Sequence, residues 1–172
     1  IPQHISKKKI TFVKKELKKR NLNLIKKIQL PNKTFVHRDF HVSNLMMKNN
    51  KVAIIDSQDA VYGNIAYDLA SLIDDVRFKT SKSLKNKIYK LYINKQRKLD
   101  KYKFKNDFEI LSILRNLKII GIFTRLAIRD GKKNYLKLIP YAWKLIDMRM
   151  GKKFIFKDLK NLLRENFKKR IT

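Results

Sequence analysis

Two histidines, an arginine, an aspartate and an asparagine crowd the stretch "HRDFHVSN", His37 to Asn44, between the apolar pairs Phe35–Val36 and Leu45–Met46. Asp39 and Asn44 offer oxygen donors, although taken alone they would serve equally well as a turn-forming pair. Asp56, which ends the apolar run "VAIID", is what turns them into candidate chemistry. The runs at 44–47 and 52–57 flank "KNNK", whose Asn49 and Asn50 predict a tight hairpin turn. A turn centred there pairs Met46 with Ala53 or Ile54, and Asn44 with Ile55 or Asp56. Directly opposed residues hold their Cβ atoms roughly 5 Å apart. Asn44 and Asp56 should therefore meet at the open end of the hairpin, with Asp39 folding back toward them through one loop. Oxygen ligands without sulfur or imidazole suit Mg2+, which takes one or two carboxylates and fills its shell with phosphate oxygens and water. The chemistry such a set can support is phosphoryl transfer.

The elements that must hold these residues are mostly helical. Residues 6–30 carry Ile10, Val13, Leu17, Leu24, Ile25 and Ile28 at helical spacing among lysines, which predicts one or two amphipathic helices ending before Pro31. "TFV" (34–36) reads as a short strand. From Ile65 the period is helical, with Leu69, Leu72, Ile73 and Val76 on one face and Asp74 and Asp75 expected in solvent. A lysine-coated helix over 82–99 should turn Leu84, Ile88, Leu91 and Tyr92 inward. Residues 107–131 are apolar almost all round and predict a central buried helix closed by Gly131. Helices near 133–148 and 157–169 follow. Phe104, Phe108, Phe123, Tyr135, Tyr141 and Trp143 are expected in the core, with Tyr141 and Trp143 also candidates to line a sugar pocket. The expected fold is α+β, mostly helical, a single domain over residues 1–172 with one small β-hairpin.

The series His37, Asp39, Asn44 and the "IID" ending at Asp56 resembles the catalytic and metal loops of protein-kinase-like phosphotransferases. "HRDFHVSNLM…IIDSQDAVYGNIAYDLASL" is similar, more narrowly, to the aminoglycoside phosphotransferase and choline kinase branch. Together with "NLKIIGIFTRLAIRDGKKNYLKLIP" (116–140), it looks most like the anomeric N-acetylmuramate/N-acetylglucosamine kinases of bacterial cell-wall recycling. That resemblance implies ATP and Mg2+ as cofactors, an amino sugar as acceptor, and the C-terminal lobe of a kinase-like fold. Asp39 would then take or orient the proton of the acceptor hydroxyl, and Asn44 and Asp56 would hold Mg2+. His37 and Asp68 would support the loop, while His41 and Asp59 would stand on the substrate side or help shape the loop. Ser57 occupies a position where such sequences usually carry a bulky residue, and "GNIAYD" replaces their more widespread "GDP" pattern. The glycine-rich, lysine-bearing N-terminal nucleotide lobe of the family has no counterpart before His37, so a chain inactive by itself is expected.

Charge points elsewhere but less specifically. The formal net charge is +29, from 33 lysines and 10 arginines against 14 acidic residues. Arginine, whose forked donors suit phosphates and guanine, is not enriched, so solvated lysines are favoured over a nucleic-acid surface. Without cysteines there are no disulfides and no thiolate metal sites. Neither a membrane-length apolar run nor a signal-peptide core is present in the sequence, and a cytoplasmic protein is expected. Three function classes follow: an ATP-dependent small-molecule kinase, a catalytically silent kinase-like binding domain, and a basic nucleic-acid-binding helical domain.

Overall fold

Ser6 opens the first helix by accepting the Lys9 N–H on its hydroxyl at 3.3 Å, and α1 runs as a single helix from Lys7 to Ile25. The structure, a computed structural model, describes residues 6–167. Only Leu24 of α1 is fully buried, in keeping with a helix that lies lysine-side outward across the rest of the body. The segment after it is pinned by Asp107, a fully buried carboxylate that accepts the N–H groups of Gln29 (2.9 Å) and Leu30 (2.8 Å). Asn64 also donates to Asp107, at 2.8 Å, and so anchors the chain just ahead of α2.

Strand β1 (Thr34–Val36) pairs antiparallel with β4 (Val61–Gly63), a strand the periodicity does not announce. Gly63 packs closely there, since a Cβ would meet a Val36 methyl at 3.0 Å and press it aside. Strands β2 (Leu45–Lys48) and β3 (Lys51–Ile54) form the hairpin, with Asn49 and Asn50 both left-handed (φ 50° and 58°), as a type I′ turn requires. Of the two expected registers, the one present puts Met46 opposite Ala53 and Leu45 opposite Ile54. The Ile55 N–H then donates to the Asn44 carbonyl at 3.1 Å, so Asp56 lies one residue beyond that pair.

The helical body contains α2 (Ala66–Ile73), α3 (Lys82–Lys95), α4 (Lys101–Arg129), α5 (Ile139–Met150) and α6 (Lys157–Asn166). The expected helix over 157–169 extends past the described residues. With 29 residues, α4 spans about 44 Å and starts earlier than its apolar run suggests, capped by the Asp100 carboxylate. Its N-terminal Phe104 and Phe108 pack with Leu69, Ala70, Ile73 and Ile93. Further along, Ile110, Ile113, Ile119 and Phe123 pack with α5, α6 and Leu24. The α3 prediction is half wrong: Ile88 and Tyr92 pack inward, but Leu84 and Leu91 are exposed and Ile93 is buried instead.

Asp74 and Asp75 depart most from expectation, because both are buried rather than solvated. Asp74 ends α2, where the helix dipole disfavours a negative charge. Cations offset this. Arg149 donates Nε and Nη2 to the two Asp74 oxygens at 2.7 and 3.0 Å, Ser112 adds 2.6 Å, and buried Lys85 lies 3.4 Å away. Lys85 also donates to the Ile73 carbonyl. Removing one member of a buried charge network leaves the others desolvated and unpaired, which costs about 3–5 kcal/mol. Asp74→Asn should lower the unfolding free energy measured in urea by that amount, whereas Asp130→Asn, which removes the exposed pair with Arg129, should leave it unchanged.

Candidate active site

Asp68 occupies the first turn of α2, where the helix dipole favours a carboxylate. It reaches back to the end of β1 and accepts the His37 N–H at 2.7 Å and the Arg38 N–H at 3.1 Å. Burial pushes the Asp68 carboxyl up, and the two N–H groups pull it down. Arg38 has φ 71°, an uncommon conformation for a side-chain-bearing residue. Its guanidinium donates to the Asp59 carbonyl at 3.2 Å, so the left-handed turn is held from both the main chain and the side chain.

Beyond that turn the loop is stitched to the hairpin. The buried His37 ring places Nε2 3.0 Å from the Ile55 carbonyl. A carbonyl only accepts, so Nε2 carries the proton in this bond. The Asp39 carbonyl accepts both the His41 N–H and the Asn44 side-chain amide, each at 3.0 Å. Asn44 is buried, and with its Nδ2 committed to Asp39 its Oδ1 is the atom left to ligate. Asp39 and Asp56 are exposed, and neither carboxylate has a hydrogen bond or ion pair among the described residues. Asp56 has φ 69°, which breaks the strand alternation as the chain leaves β3.

The chain thus offers a buried amide oxygen and a free carboxylate, Asn44 and Asp56, at the end of one hairpin. No three His, Cys, Asp or Glu side chains form a metal cage among the described residues. Two hard oxygen donors fit Mg2+, which binds phosphate-bearing substrates through a few protein ligands rather than a full cage. These groups can also serve a nearby hydroxyl, since Asp39 has an unengaged carboxylate on a backbone that cannot shift freely.

The remaining candidates separate. His41 is buried behind Asp39, and burial, reinforced by Arg77, pushes its imidazole below the ordinary value. Asp59 supports the loop through its main-chain carbonyl, not its carboxylate. Trp143 is a core residue, 3% exposed, its ring 5.5 Å from Phe167, so it does not line a sugar pocket. Tyr141 is half-buried in the same body, with the Lys79 and Lys85 ammonium groups 5.7 and 5.9 Å from its ring. Sequence reasoning passed over Asp75 and Arg115, both buried and both close enough to His41 to act on it electrostatically. A weak signal for Arg115 was present: Asp107, Ser112, Arg115 and Asn116 interrupt the otherwise apolar buried face of α4.

Comparison with known proteins fits this geometry. The family model described as "Phosphotransferase enzyme family" matches residues 9–102. A Neisseria meningitidis serogroup B protein named N-acetylmuramate/N-acetylglucosamine kinase is 34% identical over 140 residues, covering 77% of this chain and 42% of the relative. A protein of the same name from Caulobacter vibrioides is 34% identical over 119 residues, 66% of this chain and 33% of the relative. The Pseudomonas aeruginosa protein of that name is 28% identical over 137 residues, 76% of this chain and 40% of the relative. The chain therefore spans less than half the length of these curated relatives.

Asp68→Asn should loosen the turn it holds. An amide presents one acceptor oxygen and turns an NH2 toward the second N–H, losing a charge-assisted bond of about 1.5–3 kcal/mol. Amide hydrogen exchange at His37 and Arg38 should quicken by about 10- to 100-fold, while exchange in α4 stays as it was.

Proposed function

The chain belongs to the phosphotransferase enzyme family, and on that premise we propose that it is the C-terminal lobe of an ATP-dependent small-molecule kinase. Residues 1–172 form one domain of that enzyme. Its acceptor is an amino sugar such as N-acetylmuramate or N-acetylglucosamine, as the names of the relatives suggest. The observation that carries this reading is the pair of uncommitted carboxylates, Asp39 and Asp56, on a loop and a hairpin tied together by His37, Asn44 and Asp68.

In this reading the acceptor hydroxyl lies against Asp39, which takes its proton as the oxygen attacks the γ-phosphorus of ATP and ADP leaves. Proton removal by a positioned base typically contributes 10²- to 10⁴-fold. Asn44 Oδ1 and the Asp56 carboxylate hold Mg2+, which when bound neutralises charge on the phosphates. His37 and Asp68 touch neither substrate and act by keeping the loop at its distance from the hairpin. The exposed Met46, Met47, Val52 and Ile54 of the hairpin supply an apolar surface for the rest of the nucleotide site. ATP as donor suits a cytoplasmic enzyme, and the mostly exposed lysines suit anionic substrates as well as solvent. No helix among the described residues is long and apolar enough to cross a membrane.

ATP consumption with either sugar tests this, for the chain alone and for the chain joined behind the N-terminal segment of the Neisseria relative. The chain alone should show negligible turnover and the joined protein measurable turnover, because positioning around the phosphates supplies most of the catalysis. In the active form, Asp39→Asn should lower kcat at least 100-fold with nucleotide affinity kept. Asp56→Asn should weaken Mg·ATP binding together with turnover. Equal, mild losses from both substitutions would contradict the assigned roles.

A further inference from the structure

Arg115 is a buried cation without a partner. It is 6% exposed, and none of its nitrogens has a hydrogen bond or ion pair among the described residues, with Nη1 fully occluded. A guanidinium has five donors, and burying one unpaired costs several kcal/mol. Two other buried charged groups are treated differently: Asp74 and Asp107 are met on both oxygens. Burial correspondingly pushes the Arg115 guanidinium below its ordinary value.

Its surroundings suggest what the missing partner is. Arg115 lines a cavity of about 420 Å3 with Arg38 of the catalytic turn, Asn64, Tyr67, Leu111 and Lys118. That volume lies in the range of small-ligand pockets. Asp39, Tyr67, Asp75 and Arg77 are all close enough to Arg115 to act on it electrostatically. Two further buried atoms nearby lack partners, His41 Nδ1 and Asp75 Oδ2. The other Asp75 oxygen is already taken by the Arg77 N–H at 3.1 Å and the Arg77 guanidinium at 3.4 Å. With Arg38, Lys118 and Arg115 on its wall, the cavity favours an anion, and a guanidinium's forked donors match a carboxylate best.

We propose that Arg115 binds the carboxylate of an acidic acceptor sugar and sets the preference for N-acetylmuramate, which carries a lactyl carboxylate, over N-acetylglucosamine, which lacks one. The inference rests on the kinase reading above, but it concerns acceptor choice, not the transfer step. Asp39 lies next to Arg38 but outside the cavity wall. Arg115 would therefore bind one end of an acceptor that reaches past the Arg38 turn to bring its hydroxyl to Asp39. The cation stays unpaired until that ligand arrives, so its cost is carried by the empty state.

This predicts a combination that a purely structural arginine cannot give. In the complete enzyme, Arg115→Gln should leave the melting temperature unchanged or raise it, because it removes an uncompensated charge. The same change should raise the KM for N-acetylmuramate at least 10-fold, keep the KM for N-acetylglucosamine within 2-fold, and hold kcat for both. Arg115→Lys should recover part of the N-acetylmuramate affinity. Loss of folding, or equal loss with both sugars, would overturn the proposal. Turnover of neither sugar by the unsubstituted enzyme would defeat the kinase reading instead. Calorimetric binding of N-acetylmuramate then decides the site alone, since binding that Arg115→Gln abolishes supports it and no binding overturns it.

Discussion

One carboxylate, Asp68, accepting two successive main-chain N–H groups is the constraint on which the site depends. The left-handed turn at Arg38 costs about 1–3 kcal/mol, and each hydrogen bond to a charged acceptor contributes about 1.5–3 kcal/mol. Two such bonds outweigh the strain, so the turn persists where a neutral acceptor would leave it near balance. The direction in which the chain leaves β1 follows from that turn, and with it the place of Asp39. His37 and Asn44 then carry the position across to the hairpin through the Ile55 and Asp39 carbonyls. The hairpin needs this help, since an isolated two-stranded ribbon is marginal in water and β3 is exposed along its whole length.

The same logic of charge meeting orphan groups builds the scaffold beneath. Asp107 gathers the N–H groups of Gln29 and Leu30 and the amide of Asn64, tying the chain that enters β1 to the chain that enters α2. Asp74 ties the end of α2 to α3, α4 and α5 through Lys85, Ser112 and Arg149. Since α2 carries Asp68 near its start and Asp74 at its end, the helix that orients the Arg38 turn is fastened at both termini. Arg115, by contrast, has no such partner among the described residues, and the proposed ligand carboxylate would supply one.

Much of this was legible in the sequence wherever a local rule acts alone. Asn49 and Asn50 predict a tight turn, the turn narrows the partner of Asn44 to Ile55 or Asp56, and the folded hairpin takes the first. The spacing from His37 to Asp68 carried the family resemblance. What escaped depends on contacts far apart in the chain. Strand β4 is three residues long and exists only because β1 offers it an edge. Asp74 looks like a solvated helix residue until Arg149, seventy-five positions beyond it, is placed beside it. Trp143 carries an aromatic's usual ambiguity between pocket and core, and only the packing of α5 against α4 resolves it toward the core. Leu84 and Leu91 show the reverse, apolar residues at inward spacing that α3 leaves in water.

The central claim is that Asn44 and Asp56 hold one divalent ion at the end of the hairpin. Manganese is the direct test, because it replaces Mg2+ at oxygen sites and broadens nearby amide resonances. On adding Mn2+ with ATP to the protein, broadening should centre on residues 44 and 56 and extend to Asp39. In Asp56→Asn it should vanish at the same concentrations while the rest of the spectrum keeps its dispersion. Broadening centred on other carboxylates, such as Asp147 or Asp158, or persisting undiminished in Asp56→Asn, would contradict the account.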